Sequence, residues 1–279
     1  MGLGISWGKF LISSDSNLTS YSSANTTPSP LSRVAKTEIA HRFANPSLQK
    51  DDMLSEWMKK GLTQLDCDQE VPMATIAGSD TAATPLRSAM LYIASTPHVY
   101  AKLKAEIAQG IKRGRISSPI TGQEAQKLPY LQAVLHESLR MAPTTSTGFA
   151  KRVNPGGDTI CGFEVPAGTD IWPNMVALMQ NKEAFGEDVD VFRPERWLEC
   201  TADERVYMDK HVDMLFGHGR FQCPGRTLAW IEMNKVFVEL LRNFDVQIAR
   251  PERPWSLRVY STLVISNFYV RFIEGGIKV

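Results

Sequence analysis

The segment Phe216-Gly-His-Gly-Arg-Phe-Gln-Cys-Pro-Gly225 constrains this chain more than any other. Glycines and a proline surround one cysteine, and helical periodicity through Leu228, Ile231, Phe237, Leu240 and Leu241 follows at once. Such a loop bends tightly and can aim backbone N–H groups at the Cys223 sulfur, while the helix start and the neighbouring Arg220 and Arg226 favour a thiolate. Two other readings compete on these residues alone. A cysteine is often a small buried apolar residue and no more, and His211 and His218 lie close enough to suggest zinc. No second C-x-x-C or H-x-x-x-H completes four zinc ligands, so the spacing leans to a single-thiolate site.

Charge excludes one class of function. Lys and Arg total 31 against 30 Asp and Glu in 279 residues, a formal charge of +1, so electrostatically driven binding of nucleic acid is not expected. The chain is long enough for one large domain or two. No run approaches the ~20 apolar residues of a membrane helix, and the N-terminus lacks a signal-peptide core. Cys67, Cys161, Cys200 and Cys223 are too scattered for a disulfide scaffold, which points to a reducing compartment.

Residues 1–31 are rich in Ser, Thr and Pro without apolar period and are expected to be poorly ordered. They hold two decoys, Gly4-Ile-Ser-Trp-Gly8 as a nucleophile pattern and Gly2, Gly4 and Gly8 as a phosphate loop. Both need a preceding strand for which there is no room. A helix or two is expected between Ser32 and Leu62. Glu70 to Ile93 reads as a long helix, apolar on most faces and therefore buried, in which Ser79, Asp80 and Thr81 are anomalous. Thr96-Pro97 opens an amphipathic helix with Val99, Leu103 and Ile107 on one face and Gly110 placed to end it. Thr121-Gly-Gln-Glu124 is a capping-box pattern, and Pro129 to Met141 carries Leu131, Val134, Leu135 and Leu139 at helical spacing. Beyond Pro143, short alternating runs broken by Gly and Pro read as strands and turns, and Ser256 to Phe272 as a hairpin. The class is mainly α with small β-sheets.

Further fragments look generic one by one. Glu137 and Arg140 can pair on one helix face, as on countless surface helices, for about 0.5 kcal/mol or less. Ala77-Gly-Ser-Asp-Thr81 puts a helix-weakening glycine beside an acid, which a solvated packing contact explains as well as a site does. Together, in the order Ala77–Thr81, Glu137-Ser-Leu-Arg140, Pro194-Glu-Arg-Trp197 and Phe216-x-x-Gly219-x-x-x-Cys223-x-Gly225, they resemble the C-terminal part of the cytochrome P-450 fold, the haem-thiolate monooxygenases. The resemblance runs from about Ser32 to the C-terminus, and Phe192-Arg-Pro-Glu-Arg-Trp197 looks most like fungal members.

The resemblance implies haem b (iron protoporphyrin IX) with Cys223 as the iron ligand and Phe216, Gly219, Arg220 and Gly225 forming its cradle. Asp80 and Thr81 would face the opposite side of the haem, Thr81 hydrogen-bonding dioxygen and Asp80 helping to deliver protons. Glu137, Arg140 and Arg196 would form a buried ion-pair triad, and Ile76, Thr144, Phe149, Tyr260 and Leu263 the substrate pocket. One oxygen atom would enter an apolar small molecule of secondary metabolism. In the absence of a flavin or nicotinamide fingerprint, electrons would come from a separate NADPH-dependent reductase. Lys151, Arg152, Arg220 and Arg226 would contribute to its docking surface or be merely solvated. The location implied is cytoplasmic or peripheral on the endoplasmic reticulum.

Three departures stand out. The family's N-terminal half is missing, so residues 32–279 are expected to form only the haem-binding C-terminal part, without some of the substrate roof. Phe221 stands where the family has a basic residue that holds a haem propionate. Pro85, four residues after Thr81, gives no N–H to the Thr81 carbonyl and is expected to kink the helix. The competing functional reading is an inactive fragment that binds a partner through its exposed inner face; a zinc-binding structural module is a third.

Overall fold

The computed structural model describes residues 30–48, 50–219 and 222–277. The decoy motifs of the first 29 residues, Arg220 and Phe221 lie outside them. Helices come first: α1 (Pro30–Ala44), α2 (Met53–Lys59), α3 (Gln64–Ser95), α4 (Pro97–Lys112), α5 (Gly122–Ala125) and α6 (Pro129–Met141). Strands β1 (Lys151–Arg152), β2 (Asp158–Ile160), β3 (Phe163–Val165) and β4 (Asp170–Ile171) precede α7 (Met175–Met179), α8 (Lys182–Phe185), α9 (Arg196–Glu199), α10 (Ala202–Asp213) and α11 (Arg226–Asn243). Strands β5 (Phe244–Ile248), β6 (Ser256–Val259), β7 (Leu263–Ser266) and β8 (Val270–Glu274) close the chain. The order is the mainly α arrangement with small sheets that the sequence predicts. No helix among the described residues is long and apolar enough to cross a membrane.

The chain divides into two compact units, Met1–Ala77 and Gly78–Val279, with α3 passing from one into the other. In the first, Ala35, Ile39, Leu54 and Cys67 form a small core with Phe43, Trp57 and Met58 packed on it. The helix start at Asp52 is fastened twice. Its carboxylate accepts the Ser55 N–H at 2.9 Å, and the buried Arg42 guanidinium grips it with two bonds of 2.8 and 3.0 Å. These bonds hold the Asp52 carboxyl well below the usual carboxylate range. Helix α1 starts at Pro30, just inside the segment expected to be poorly ordered.

In the second unit α6 is central, packing against α4, α9, α10 and α11. Leu131, Val134, Leu135 and Leu139 are buried as their spacing predicts, and so are Val99, Leu103 and Ile107 of α4. Glu106, between them, accepts the Tyr130 and Leu131 N–H groups at 2.8 and 2.9 Å and so caps α6 from a neighbouring helix. Burial pushes its carboxyl up. The capping box at Thr121 and Glu124 is present but closes the separate short α5, because Pro129 begins a new helix.

Three expectations need correction. Helix α4 runs past Gly110 to Lys112: Gly110 is buried, and a Cβ there would collide with Ile116, so the glycine serves close packing rather than termination. Helix α3 is long, yet Met73 and Ala77–Thr81 are exposed; it is buried at Cys67 and Pro72 in the first unit and again at Thr84 and Pro85 in the second. Apolar content marks a surface that can be buried, and packing partners decide where it is: Cys67 joins the small core of the first unit and Ala89, Met90 and Ile93 the core of the second, with Ala77–Thr81 exposed in between. The tail is not one hairpin. Strands β6 and β7 pair with Leu257 opposite Ile265, whereas β8 turns back to β5 with Val246 opposite Phe272. Helix α3 continues through Pro85 without interruption.

Candidate functional site

The cysteine loop is shaped by its glycines. Gly217 and Gly219 take φ values of 73° and 63°, which L side chains rarely adopt, and the chain thereby turns sharply between the 3-10 turn Met214–Phe216 and α11. The Cys223 N–H donates to the Phe216 carbonyl at 2.6 Å, and the Gln222 N–H to Gly219 at 3.0 Å, so the loop closes on itself. Arg226 pairs with Asp213 at 2.5 Å and lies over the Phe216 ring, 5.8 Å from its centroid. The Trp230 ring, 6.3 Å from that of Phe216, supports it from the helix side.

Cys223 is exposed and outside any disulfide, just before the start of α11. A Cβ at Gly225 would stand 3.7 Å from its sulfur, so the glycine keeps one side of the thiol free of any side chain. Leu228, one turn further along α11, is 57 % exposed. The result is an exposed soft donor on a loop held by backbone hydrogen bonds, with bare backbone at Gly225 beside the sulfur. That donor chemistry suits thiolate ligation of iron at the face of a large apolar group.

The predicted triad is built and buried. The Glu137 carboxylate, fully buried, accepts Arg140 Nη2 at 2.8 Å and Nε at 2.9 Å, and Arg196 Nε at 3.1 Å. Sequence reasoning missed the rest of the cage. The Trp197 indole N–H and the Arg193 backbone N–H each donate to Glu137 at 2.9 Å, giving one carboxylate five donors. The Arg140 guanidinium also donates to the Val189 carbonyl at 2.8 Å, while Arg196 pairs with Asp188 at 2.9 Å and reaches the Phe185 carbonyl. Although burial opposes it, the bonds from Arg196 and Arg193 hold the Asp188 carboxyl below its ordinary range. Trp197 was visible within the quoted motif; nothing in the spacing of Asp188 marked it.

Next to the triad, His136 lies between the rings of Trp197 and Trp230, with centroids 5.0 and 4.7 Å away. Its Nδ1 donates to the Gln132 carbonyl at 2.7 Å, which leaves Nε2 facing Asp209 at 3.5 Å. Burial pulls the His136 pKa down despite that acid.

Asp80 and Thr81 are exposed on α3. Of the predicted pocket residues, Thr144, Tyr260 and Leu263 are drawn together. The Leu263 N–H donates to the Thr144 carbonyl at 2.9 Å, Ser146 N–H to Ser261 at 3.0 Å, and the Ser146 hydroxyl to Tyr260. Phe149 is 75 % exposed just beyond this wall, and Ile76 belongs to the first unit. Of the predicted docking cations, Arg152 is engaged by Asp170 at 2.8 Å and Arg226 by Asp213.

Comparison with known proteins agrees with this arrangement. The family model "Cytochrome P-450" matches residues 29–267. Cytochrome P-450 monooxygenase ABA1 of Pyricularia oryzae is 40 % identical over 234 residues, covering 84 % of this chain and 46 % of its own. Its namesake from Botryotinia fuckeliana is 38 % identical over 245 residues, 88 % of this chain and 48 % of its own, and abl1 of Leptosphaeria maculans 37 % identical over 235 residues, 83 % and 41 %. The chain thus spans about half the length of the curated relatives it matches. With a match over most of its residues, a cysteine presented on a glycine loop and the carboxylate–arginine cage behind it, this chain belongs to the cytochrome P-450 family.

Proposed function

We propose that this chain supplies the haem-binding part of a monooxygenase that inserts one oxygen atom from dioxygen into an apolar small molecule of fungal secondary metabolism. The observation that carries the reading is Cys223, exposed on a closed glycine loop at the start of α11. Haem b is the group its surroundings fit: Cys223 would ligate the iron, with Phe216, Gly219, Arg220 and Gly225 bordering the ring. When bound, that group supplies activation of dioxygen, with the thiolate pushing electron density toward O–O cleavage. The protein's own residues do the rest. Asp80 and Thr81, exposed on α3, offer a carboxyl and a hydroxyl for handing protons to dioxygen. Thr144, Tyr260 and Leu263 present a wall to an apolar substrate, with Phe149 at its edge and Ile76 on the same helix as Asp80. Glu137, Arg140 and Arg196 keep α6 and the α9 region fixed behind the cysteine loop.

A separate NADPH-dependent reductase would deliver the electrons, and the location would be cytoplasmic or peripheral on the endoplasmic reticulum. The functional part would be residues 32–279. The reading is tested by reconstituting the protein with haem and recording the carbon monoxide spectrum of the reduced form beside Cys223→Ala. A spectrum that does not depend on Cys223 would favour instead a partner-binding fragment, for which the exposure of Phe149, Leu228 and Tyr260 speaks.

A further inference from the structure

The pocket wall and the helix that carries Asp80 and Thr81 are joined at one buried hydroxyl. Thr84 is 3 % exposed, and its Oγ1 lies 2.8 Å from the Leu263 carbonyl, 179 residues away in the chain. The same oxygen lies 3.3 Å from the Asp80 carbonyl. A hydroxyl has one proton to donate, and hydroxyls within helices of this chain ordinarily give it to the carbonyl four residues back: Thr37 does so at 3.0 Å, Thr75 at 2.8 Å, Ser95 and Ser138 at 2.7 Å. At Thr84 the shorter bond leaves the helix for the strand.

The Leu263 backbone is therefore a bridge. Its C=O accepts from Thr84 on α3, and its N–H donates to Thr144 on the other wall segment at 2.9 Å. One turn along α3, Arg87 Nη1 donates to the Ile265 carbonyl at 2.9 Å, which fixes the hairpin at a second point. Pro85, next to Thr84, has no N–H to donate back along the helix. A tie from outside the helix thus restrains the stretch that carries the proton-handling pair.

We propose that Thr84 is a positioning residue that sets the spacing between the Asp80–Thr81 turn and the Leu263 wall, and so decides which apolar ligands fit between them. The inference rests on the monooxygenase reading and adds to it a determinant of substrate shape. Removing the hydroxyl at constant volume, Thr84→Val, frees the Leu263 carbonyl from α3 while Arg87 keeps the hairpin attached. Thr84→Ser retains the bond.

Two readouts test this on the haem-reconstituted protein. Hydrogen exchange at the Leu263 and Ser146 amides needs no bound ligand: it is expected to quicken in Thr84→Val and to stay at the wild-type rate in Thr84→Ser. Optical titration with imidazole and with 4-phenylimidazole reads the space itself, since the first is small and the second must place a phenyl ring beside the wall. The ratio of the two affinities is expected to shift by about fivefold in Thr84→Val, the scale of one lost hydrogen bond, and to return in Thr84→Ser. Unchanged exchange, or an unchanged affinity ratio in Thr84→Val, overturns the proposal. If neither azole perturbs the wild-type spectrum, the monooxygenase reading fails and the role in ligand selection falls with it; exchange then reports on the bond alone.

Discussion

Glu137 and Arg196, 59 residues apart in sequence, meet in the core with Nε donating to Oε1 at 3.1 Å and both side chains almost completely buried. A buried pair of this kind contributes little over an apolar replacement, but removing one member leaves the other charge unpaired in a low-dielectric interior. Here the carboxylate is shared by two guanidinium groups. Glu137→Ala is therefore expected to destabilise the fold by about 3–5 kcal/mol, read as a lowered urea midpoint, and to reduce soluble yield. Stability within 1 kcal/mol of wild type would contradict a structural role for the cage.

Trp197 tests the part of that cage the sequence did not announce. Trp197→Phe keeps a ring against Phe185 and His136 but deletes the indole donor to Glu137. A hydrogen bond to a buried charge is worth about 1.5–3 kcal/mol, and a loss in that range is expected on denaturation. A cost in Trp197→Phe below about 0.5 kcal/mol would contradict a donor role for the indole.

His136 gives a pH dependence with a definite sign. Its folded-state pKa lies below the ordinary 6.5, chiefly through burial, while Asp209 and Asp213 raise it and Arg205 lowers it. The unfolded chain therefore binds more protons in that window, and stability rises with pH through it. Equivalently, stability is lost as pH falls below about 6.5. His136→Phe should flatten this part of the profile of urea midpoint against pH; a slope equal to wild type would assign the dependence elsewhere.

Gly148 tests how closely the Thr144–Phe149 segment is packed. A Cβ there would come within 2.6 Å of the Met175 methyl and 2.7 Å of the Pro173 ring. Met175 can swing away but the ring cannot, so Gly148→Ala is expected to displace the Thr144–Phe149 segment and cost about 1–3 kcal/mol. Crystallographic comparison or amide exchange at Gly148, whose N–H donates to Pro173 at 3.3 Å, would show whether the wall moves.

How much of this was legible in the sequence differs by kind of interaction. Helix α6 could be read because its apolar spacing, its proline at the start and its burial all agree. The cysteine loop could be read because glycine at positive φ and proline leave a sequence trace. The triad followed only from a resemblance, since Glu137-Ser-Leu-Arg140 alone is an ordinary surface pattern. Asp188, Thr84 and Ser146 left no trace: Asp188 meets the Arg196 side chain across an irregular segment with no period to mark it, while Thr84 and Ser146 give their hydroxyls to backbone carbonyls far along the chain, and composition records no such partners. Gly110 misled for a related reason, because a glycine that ends a helix and one that lets a neighbour approach look alike until Ile116 is placed.

Thiolate ligation of haem iron by Cys223 is tested by the spectrum of the haem-reconstituted, reduced protein under carbon monoxide, recorded with Cys223→Ala beside it. A strongly red-shifted Soret band is expected in the wild type and is expected to disappear in the variant. A wild-type protein that binds no haem, or a band indifferent to the loss of Cys223, would contradict that ligation.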